Sequence, residues 1–116
     1  MNAKEYAYLG DAVWELLVRE YFLGKQELKP QVLHNEVTSR VKASFQHDLL
    51  TKIQEELTEE ELNISRRARN LSIPAARKSI QKDYRNATAF EAFIGYWYVN
   101  DKKRLKYFEE ILKKYL

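Results

Sequence analysis

The chain of 116 residues contains no cysteine, three glycines and two prolines. Without thiols there can be neither a disulfide framework nor a thiolate metal site, so a bound metal ion would need oxygen or imidazole ligands. No run approaches the roughly 20 uncharged apolar residues that are needed to span a bilayer. The N-terminal residues also lack the pattern of a secretory signal peptide. We therefore expect a cytoplasmic protein that does not enter a membrane.

Apolar residues recur three and four positions apart along most of the chain, which, with so little glycine and proline, predicts an all-α fold. The length is that of one domain, spanning residues 1–116. The predicted helices run from Asn2 to Gly24, from Pro30 to about Arg40, from Ser44 to Leu57, from Thr58 to about Asn70, from near Asn86 to Val99 and from Lys102 to Leu116. The segment from Leu71 to Lys82 contains Pro74 and is predicted to be a loop.

Two of these helices, the first and the fifth, are apolar on nearly every side and are expected to be central. Each nevertheless carries acids: Asp11 and Glu15 in the first, and Glu91 in the fifth. An ionised carboxylate in apolar surroundings is costly unless it is paired, protonated or bound to a metal. Acids brought together from two packed helices would repel one another unless a cation lay between them, and Mg²⁺ takes such oxygen ligands.

Each of these acids also has a structural explanation. Glu15 can pair with Arg19, four residues on, in a surface ion pair worth about 0.3–0.5 kcal/mol. Glu91 could stabilise the start of its own helix through the helix macrodipole. Gly10 and Gly95 lie close to the acids in sequence and would let two helices, or a helix and a phosphate, approach closely.

Basic charge is concentrated in one part of the chain, although the net charge is only +3. Between positions 66 and 85 there is a single acid, Asp83. The basic residues of this segment are Arg66, Arg67, Arg69, Arg77, Lys78, Lys82 and Arg85. A phosphate-binding surface requires such a concentration, although a run of charge is also compatible with a solvated face.

Two motifs, Leu9-Gly10-Asp11-Ala12-Val13 and Phe90-Glu91-Ala92-Phe93-Ile94-Gly95, resemble the signature helices of the ribonuclease III catalytic domain. The match is strongest to the Mini-ribonuclease III subfamily. Further matching pieces, in family order, are Leu33-His34, Val41-Lys42-Ala43, Arg67-Ala68-Arg69-Asn70, and Tyr84-Arg85 followed by Thr88-Ala89. The resemblance covers nearly the whole chain and implies a ribonuclease III endonuclease-domain-like helical bundle.

The resemblance implies a homodimer that cleaves double-stranded RNA by metal-assisted phosphodiester hydrolysis, with precursor ribosomal RNA of the large subunit (23S) as the substrate. Asp11 and Glu91 match the family's metal-ligand aspartate and glutamate, and the expected cofactor is Mg²⁺, with Mn²⁺ as a substitute. Duplex RNA is bound mainly through phosphates and 2′-hydroxyls. The residues expected to make these contacts are Arg66, Arg67, Arg69, Asn70, Arg77, Lys78, Lys82 and Arg85.

The sequence departs from full-length ribonuclease III at two of four acidic positions, where it has Ala7 and Thr88. The Mini subfamily resembles this reduced pattern, so activity is expected, with the number of metal ions left open. Glu15, one turn from Asp11, and Thr88 are candidates for a supporting role around the metal. Larger relatives append a separate double-stranded-RNA-binding domain; here the RNA affinity is expected to come from the catalytic domain itself.

Two other functions compete with this interpretation. His47, followed by an aspartate and preceded by His34, is a pattern of histidine–aspartate phosphohydrolases; however, His47 follows Gln46 in a polar stretch typical of a surface, and His34 is expected to be partly buried. The second alternative is a non-catalytic helical RNA-binding protein with a degenerate site, which the loss of two acids would favour. Metal dependence separates that protein from an enzyme.

Overall fold

The computed structural model describes residues 1–25, 27–71 and 78–116, with the side chains of all but 78 and 79. Its helices are α1 (Ala3–Lys25), α2 (Pro30–Val41), α3 (Ala43–Ile53), α4 (Glu59–Arg69), α5 (Lys78–Asn100) and α6 (Lys102–Leu112). Short 3₁₀ turns, Gln54–Glu56 and Lys113–Tyr115, follow α3 and α6. These residues include no β-strand, which confirms the predicted all-α class. None of the helices described is long and apolar enough to cross a membrane.

The starts of three helices follow from local hydrogen bonds. The Glu5 amide donates to Asn2 Oδ1 at 2.9 Å, and the Asn2 amide donates to the Glu5 carboxylate at 3.0 Å, which is a capping box at the start of α1. Thr58 and Glu61 form a second capping box at α4, as predicted. Asp101 accepts a backbone N–H at 3.0 Å and caps α6.

The predicted start of the fifth helix was wrong, because α5 begins at Lys78 and not near Asn86. Its first turns carry polar residues such as Lys82 and Asp83, which do not repeat the apolar spacing used for the prediction. Lys82 and Arg85 therefore lie on a helix rather than in a loop. Residues 72–77 of the predicted loop lie outside the described residues.

The core is built around α5, which packs against α1, α3, α4 and α6. Phe90 and Trp97 of α5 are fully buried. The Trp14 ring of α1 meets the Phe90 ring edge-on, with their centroids 5.0 Å apart, and the Trp97 ring stacks on Phe108 of α6 at 4.4 Å. These aromatic contacts place α5 at the centre, as its apolar sequence predicted.

The side of α1 that faces away from α5 carries three exposed large apolar residues among charged ones such as Arg19. Tyr8, Leu16 and Leu23 share this side and are 85%, 56% and 66% exposed. The apolar character of α1 was therefore predicted correctly, but only one of its sides is buried here. We call Tyr8, Leu16 and Leu23 the α1 face.

The backbones of α1 and α5 touch where Gly10 and Gly95 meet. A Cβ atom at position 10 would lie 1.7 Å from the Glu91 carbonyl oxygen, and one at position 95 would lie 2.0 Å from the Tyr6 carbonyl oxygen. No side chain fits at either position, so both glycines are required by the close approach of the helices. The crossing also places Asp11, the neighbour of Gly10, beside Glu91.

A buried ion pair between α4 and α6 escaped prediction. Glu61 is 4% exposed and accepts hydrogen bonds from Arg104 at 3.0 and 3.1 Å and from Trp97 Nε1 at 2.5 Å. Burial acts to raise the pKa of Glu61, but its hydrogen bonds, with that from Arg104 foremost, bring this pKa below its ordinary value. The sequence signalled only the capping role of Glu61, because the pairing depends on the packing of three helices.

Candidate metal and RNA-binding site

The crossing of α1 and α5 brings the carboxyl groups of Asp11 and Glu91 into hydrogen-bonding contact. Asp11 is exposed, whereas Glu91 is half-buried. Burial, followed by the hydrogen bond and the negative charge of Asp11, raises the pKa of Glu91 to about 9. Two carboxyl groups held together in this way favour either a bound proton or a bound cation.

Gln46 of α3 is the third polar residue at this site. It is 2% exposed, its Nε2 donates to the Val41 carbonyl oxygen at 3.0 Å, and its side chain acts to lower the pKa of the neighbouring Glu91. Its Oε1 is buried without a partner among the described residues. The next residue, His47, was expected at the surface, and the burial of Gln46 was not predicted. The missed signal was its helical spacing from the apolar residues Leu49 and Ile53.

The side chains at the crossing fit a magnesium ion. Mg²⁺ is commonly held by one or two carboxylates and completes its shell with waters and substrate phosphates. Asp11 and Glu91 supply two carboxylates from different helices, and a cation would offset the burial and the repulsion by Asp11 that raise the pKa of Glu91. Among the described residues no group of three or more acids, histidines or cysteines is able to hold a metal. Asp11 and Glu91 are therefore the two carboxylates that the crossing offers to a metal ion.

The other acidic and hydroxyl candidates have partners of their own. Glu15 pairs with Arg19 at 3.4 Å, which is the surface ion pair that was predicted as a structural explanation for this acid. The Thr88 hydroxyl donates to the Tyr84 carbonyl oxygen, one turn back on α5, at 2.9 Å. The alternative that Glu91 stabilises the start of its own helix was wrong, because Glu91 lies in the middle of α5.

Three of the predicted RNA-binding residues meet in an open cleft of about 640 Å³ between α4 and α5. The cleft is lined by Arg69, Gln81, Lys82, Arg85 and Asn86. Lys82 is exposed and forms no ion pair with any described residue. Arg69 Nε donates to Asn86 Oδ1 at 3.0 Å, and Asn86 Nδ2 contacts His47 Nδ1 at 2.6 Å. The cleft occupies the turns of α5 that precede Glu91.

Arg85 also has a structural role in this cleft. Its guanidinium donates to the carbonyl oxygens of Arg69 and Leu71 at the end of α4. These bonds satisfy acceptors that a helix C-terminus leaves unpaired. Gln81 and Asn86 were not predicted as site residues. Their common helix face with Lys82 and Arg85 would have been visible only if the fifth helix had been extended back to position 78.

Arg66, Arg67 and Asn70 do not line this cleft. Arg66 pairs with an acid of its own helix at 3.2 Å, whereas Arg67 and Asn70 are exposed near the end of α4. Arg77 lies outside the described residues, and Lys78 is the first residue of α5, where the structure describes no side chain. The basic surface described here is thus narrower than the predicted segment.

The two histidines do not form the site of a histidine–aspartate phosphohydrolase. His47, expected at the surface, is half-buried and bonded to Asn86, whereas His34, expected to be partly buried, is exposed on α2. Neither belongs to a metal-binding cluster within the described part of the chain.

Comparison with known proteins agrees with this geometry. The family model described as "Ribonuclease III domain" matches residues 4–102, which include both motif helices. The chain belongs to the ribonuclease III domain family. It is 40% identical to Mini-ribonuclease 3 of Clostridium tetani, with 97% of this chain and 75% of that protein covered. It is 44% identical to a Mini-ribonuclease 3-like protein of Ilyobacter polytropus, with 81% and 74% covered.

A crystal structure of a protein from Fusobacterium nucleatum is also similar to this fold. Its TM-score is 0.86 at 34% sequence identity, and the match covers 98% of this chain and 93% of that chain. The resemblance to Mini-ribonuclease III and the helical fold of the ribonuclease III family, both predicted from the motifs, are confirmed.

Proposed function

We propose that this protein is a magnesium-dependent endoribonuclease that hydrolyses phosphodiester bonds of double-stranded RNA. The observation that carries the proposal is the contact of Asp11 with Glu91 at the helix crossing, where the pKa of Glu91 is raised to about 9. Such a pair is suited to holding a cation beside a phosphate. Membership of the ribonuclease III domain family and the names of its relatives support the same activity.

In this proposal Asp11 and Glu91 hold the ion. When bound, Mg²⁺, or Mn²⁺ in its place, lowers the pKa of a coordinated water and stabilises charge on the phosphate and the leaving oxygen. Asp11 is exposed and can face the substrate, whereas the half-buried Glu91 is held on the central helix. Because Glu91 must lose its proton to act as a ligand, metal binding releases a proton and strengthens as the pH rises.

We assign RNA binding to the basic cleft between α4 and α5. Arg69 and Arg85 present planar guanidinium groups, which can bind phosphate through two parallel hydrogen bonds. Lys82 adds an exposed charge without an ion-pair partner in the described residues. Arg66, Arg67, Asn70, Arg77 and Lys78 remain predicted RNA contacts from the sequence. A duplex of precursor 23S ribosomal RNA, met in the cytoplasm, is the proposed substrate.

A homodimer is proposed through the α1 face. Its three members, Tyr8, Leu16 and Leu23, present apolar surface that a second copy of the chain could bury. Asp11 lies in sequence between Tyr8 and Leu16, so dimerisation there would bring the second carboxylate pair near the first. Two sites held in this way would serve the two strands of a duplex.

Cleavage of a labelled RNA duplex tests the proposed function. We expect the wild type to cut the duplex but not its separate strands, with Mg²⁺ but not with a chelator. Asp11→Asn keeps the side-chain size and removes a ligand charge, so the rate should fall by about 10³-fold, corresponding to several kcal/mol of lost charge stabilisation. Glu55→Gln, an exposed acid in the 3₁₀ turn after α3, is the control and should keep wild-type activity.

The same assay separates the enzyme from the second candidate. If both proteins bind the duplex and leave it intact in Mg²⁺, the chain is a non-catalytic RNA-binding protein with a degenerate site.

Lys82→Ala is expected to weaken binding to every duplex by a similar factor. Neutralising one phosphate contact should reduce the slope of log K against log salt concentration by about 0.9. Fluorescence anisotropy over a salt series measures this slope. Lys106→Ala, which removes the same charge from α6, is the control. Equal slopes for Lys82→Ala and the wild type would exclude a phosphate contact at Lys82.

A further inference from the structure

Gln46 links the junction of α2 and α3 to the Asp11–Glu91 pair. Its Nε2 donates to the carbonyl oxygen of Val41, the last residue of α2, at 3.0 Å, and its side chain also lies against Glu91, whose pKa it acts to lower. Gln46 is 2% exposed, and its Oε1 has no hydrogen-bond partner among the described residues. The amide is thus buried with one of its two polar ends unused.

Packing alone does not account for an amide at position 46. Leu49, Leu50 and Ile53 on the same side of α3 are all buried, and an apolar side chain would continue their surface. A buried acceptor without a partner costs more, on average, than one neutral hydrogen bond contributes. A tie from Gln46 to Val41 alone would therefore not explain why glutamine occupies this position.

The contact with Glu91 supplies the missing reason. An amide N–H can hold a carboxylate in one orientation without adding positive charge. A lysine or arginine at position 46 would instead pair with Glu91 and compete with a cation for its charge. Side chains that hydrogen-bond to metal-binding carboxylates orient those ligands, and losing them weakens metal binding.

We propose that Gln46 is a positioning residue that holds the Glu91 carboxylate in the orientation required for metal binding. This inference rests on the proposed function, because it assigns Glu91 as a ligand. Gln46 acts through Glu91 and touches neither the RNA nor the reacting atoms in this scheme. Its bond to Val41 anchors the amide beside Glu91.

Gln46→Met tests this role, because methionine keeps the length of the side chain and removes both polar ends. We expect the dissociation constant for Mn²⁺, measured by electron paramagnetic resonance on RNA-free protein, to rise about 10- to 100-fold. The Mg²⁺ concentration that gives half-maximal cleavage should rise by a similar factor, and excess Mg²⁺ should restore much of the rate. Ile53→Val is the matched control, since it disturbs the buried side of the same helix two turns away.

Two results would overturn the inference or its basis. If Gln46→Met lowers the melting temperature but binds Mn²⁺ like the wild type, Gln46 is only a structural tie between α2 and α3. If Gln46→Met does not fold by circular dichroism, Gln46→Asn takes its place with the same expectation, because its shorter side chain cannot reach both Val41 and Glu91. A wild type that neither binds Mn²⁺ nor cuts RNA would contradict the proposed function itself.

Discussion

Glu91→Gln is expected to abolish RNA cleavage and to stabilise the folded protein at neutral pH. Glutamine matches glutamate in shape but carries no charge with which to bind Mg²⁺, so cleavage should fall by about 10³-fold or more. The gain in stability follows from the environment of the carboxyl group. Burial and the adjacent Asp11 raise its pKa from 4.5 to about 9, and the amide, neutral at every pH, avoids the free energy that keeping this carboxyl group protonated at neutral pH costs the wild type.

The pH dependence of this gain has a definite sign. Between pH 4.5 and about 9 the unfolded chain has released the Glu91 proton while the folded chain keeps it. The native state therefore binds more protons, and wild-type stability falls as the pH rises through this interval. Above about pH 9 the folded carboxyl group also ionises and the full cost is present. The stability difference between Glu91→Gln and the wild type should grow with pH to at most a few kcal/mol.

Urea denaturation of metal-free protein at several pH values measures this difference. Glu20→Gln, at an exposed position on α1, should show no comparable pH-dependent gain. Added Mg²⁺ should stabilise the wild type by binding its native state and should leave Glu91→Gln unchanged. A wild type and a Glu91→Gln variant with the same pH dependence would contradict the assigned environment of Glu91.

Gly10→Ala is expected to destabilise the protein by about 3 kcal/mol or more, at the upper end of overpacking costs. The added Cβ would lie 1.7 Å from the Glu91 carbonyl oxygen and 2.9 Å from the Gly95 nitrogen. Both are backbone atoms of α5 and cannot rotate away, so α1 and α5 must separate. The higher helix propensity of alanine offsets at most about 1 kcal/mol. Separation would also move Asp11 from Glu91, so cleavage should be lost together with stability.

Gly24→Ala provides the matched control for this prediction. A Cβ at position 24 meets no atom within 4 Å, so the same substitution near the end of α1 should be neutral or slightly stabilising. Thermal or urea denaturation of both variants compares the two positions. A Gly10→Ala protein that matches Gly24→Ala in stability and still cuts duplex RNA would show that α1 and α5 can accommodate a Cβ atom at position 10, which would contradict the prediction.

The errors of the sequence analysis occur where helix formation and side-chain burial depend on distant parts of the chain. The polar first turns of α5 lack apolar periodicity, so its start was placed near Asn86 and the helix face that forms the basic cleft was missed. His47 was expected at the surface because it lies in a polar stretch, and the burial of its neighbour Gln46 was not predicted. Glu61 was recognised as a cap, but its buried pairing with Arg104 joins helices far apart in sequence.

The sequence by itself determined the all-α class, most helix boundaries, the family and the two candidate ligands, because apolar spacing, capping residues and short motifs are local properties of the chain. The ligand roles of Asp11 and Glu91 stay predictions for the experiments above. Only the tertiary structure decided that Gly10 and Gly95 let the two backbones touch, that Gln46 is buried against Glu91, and that the α1 face is left uncovered. These features depend on how α1, α3 and α5 cross, and no local spacing encodes the distance between two helices.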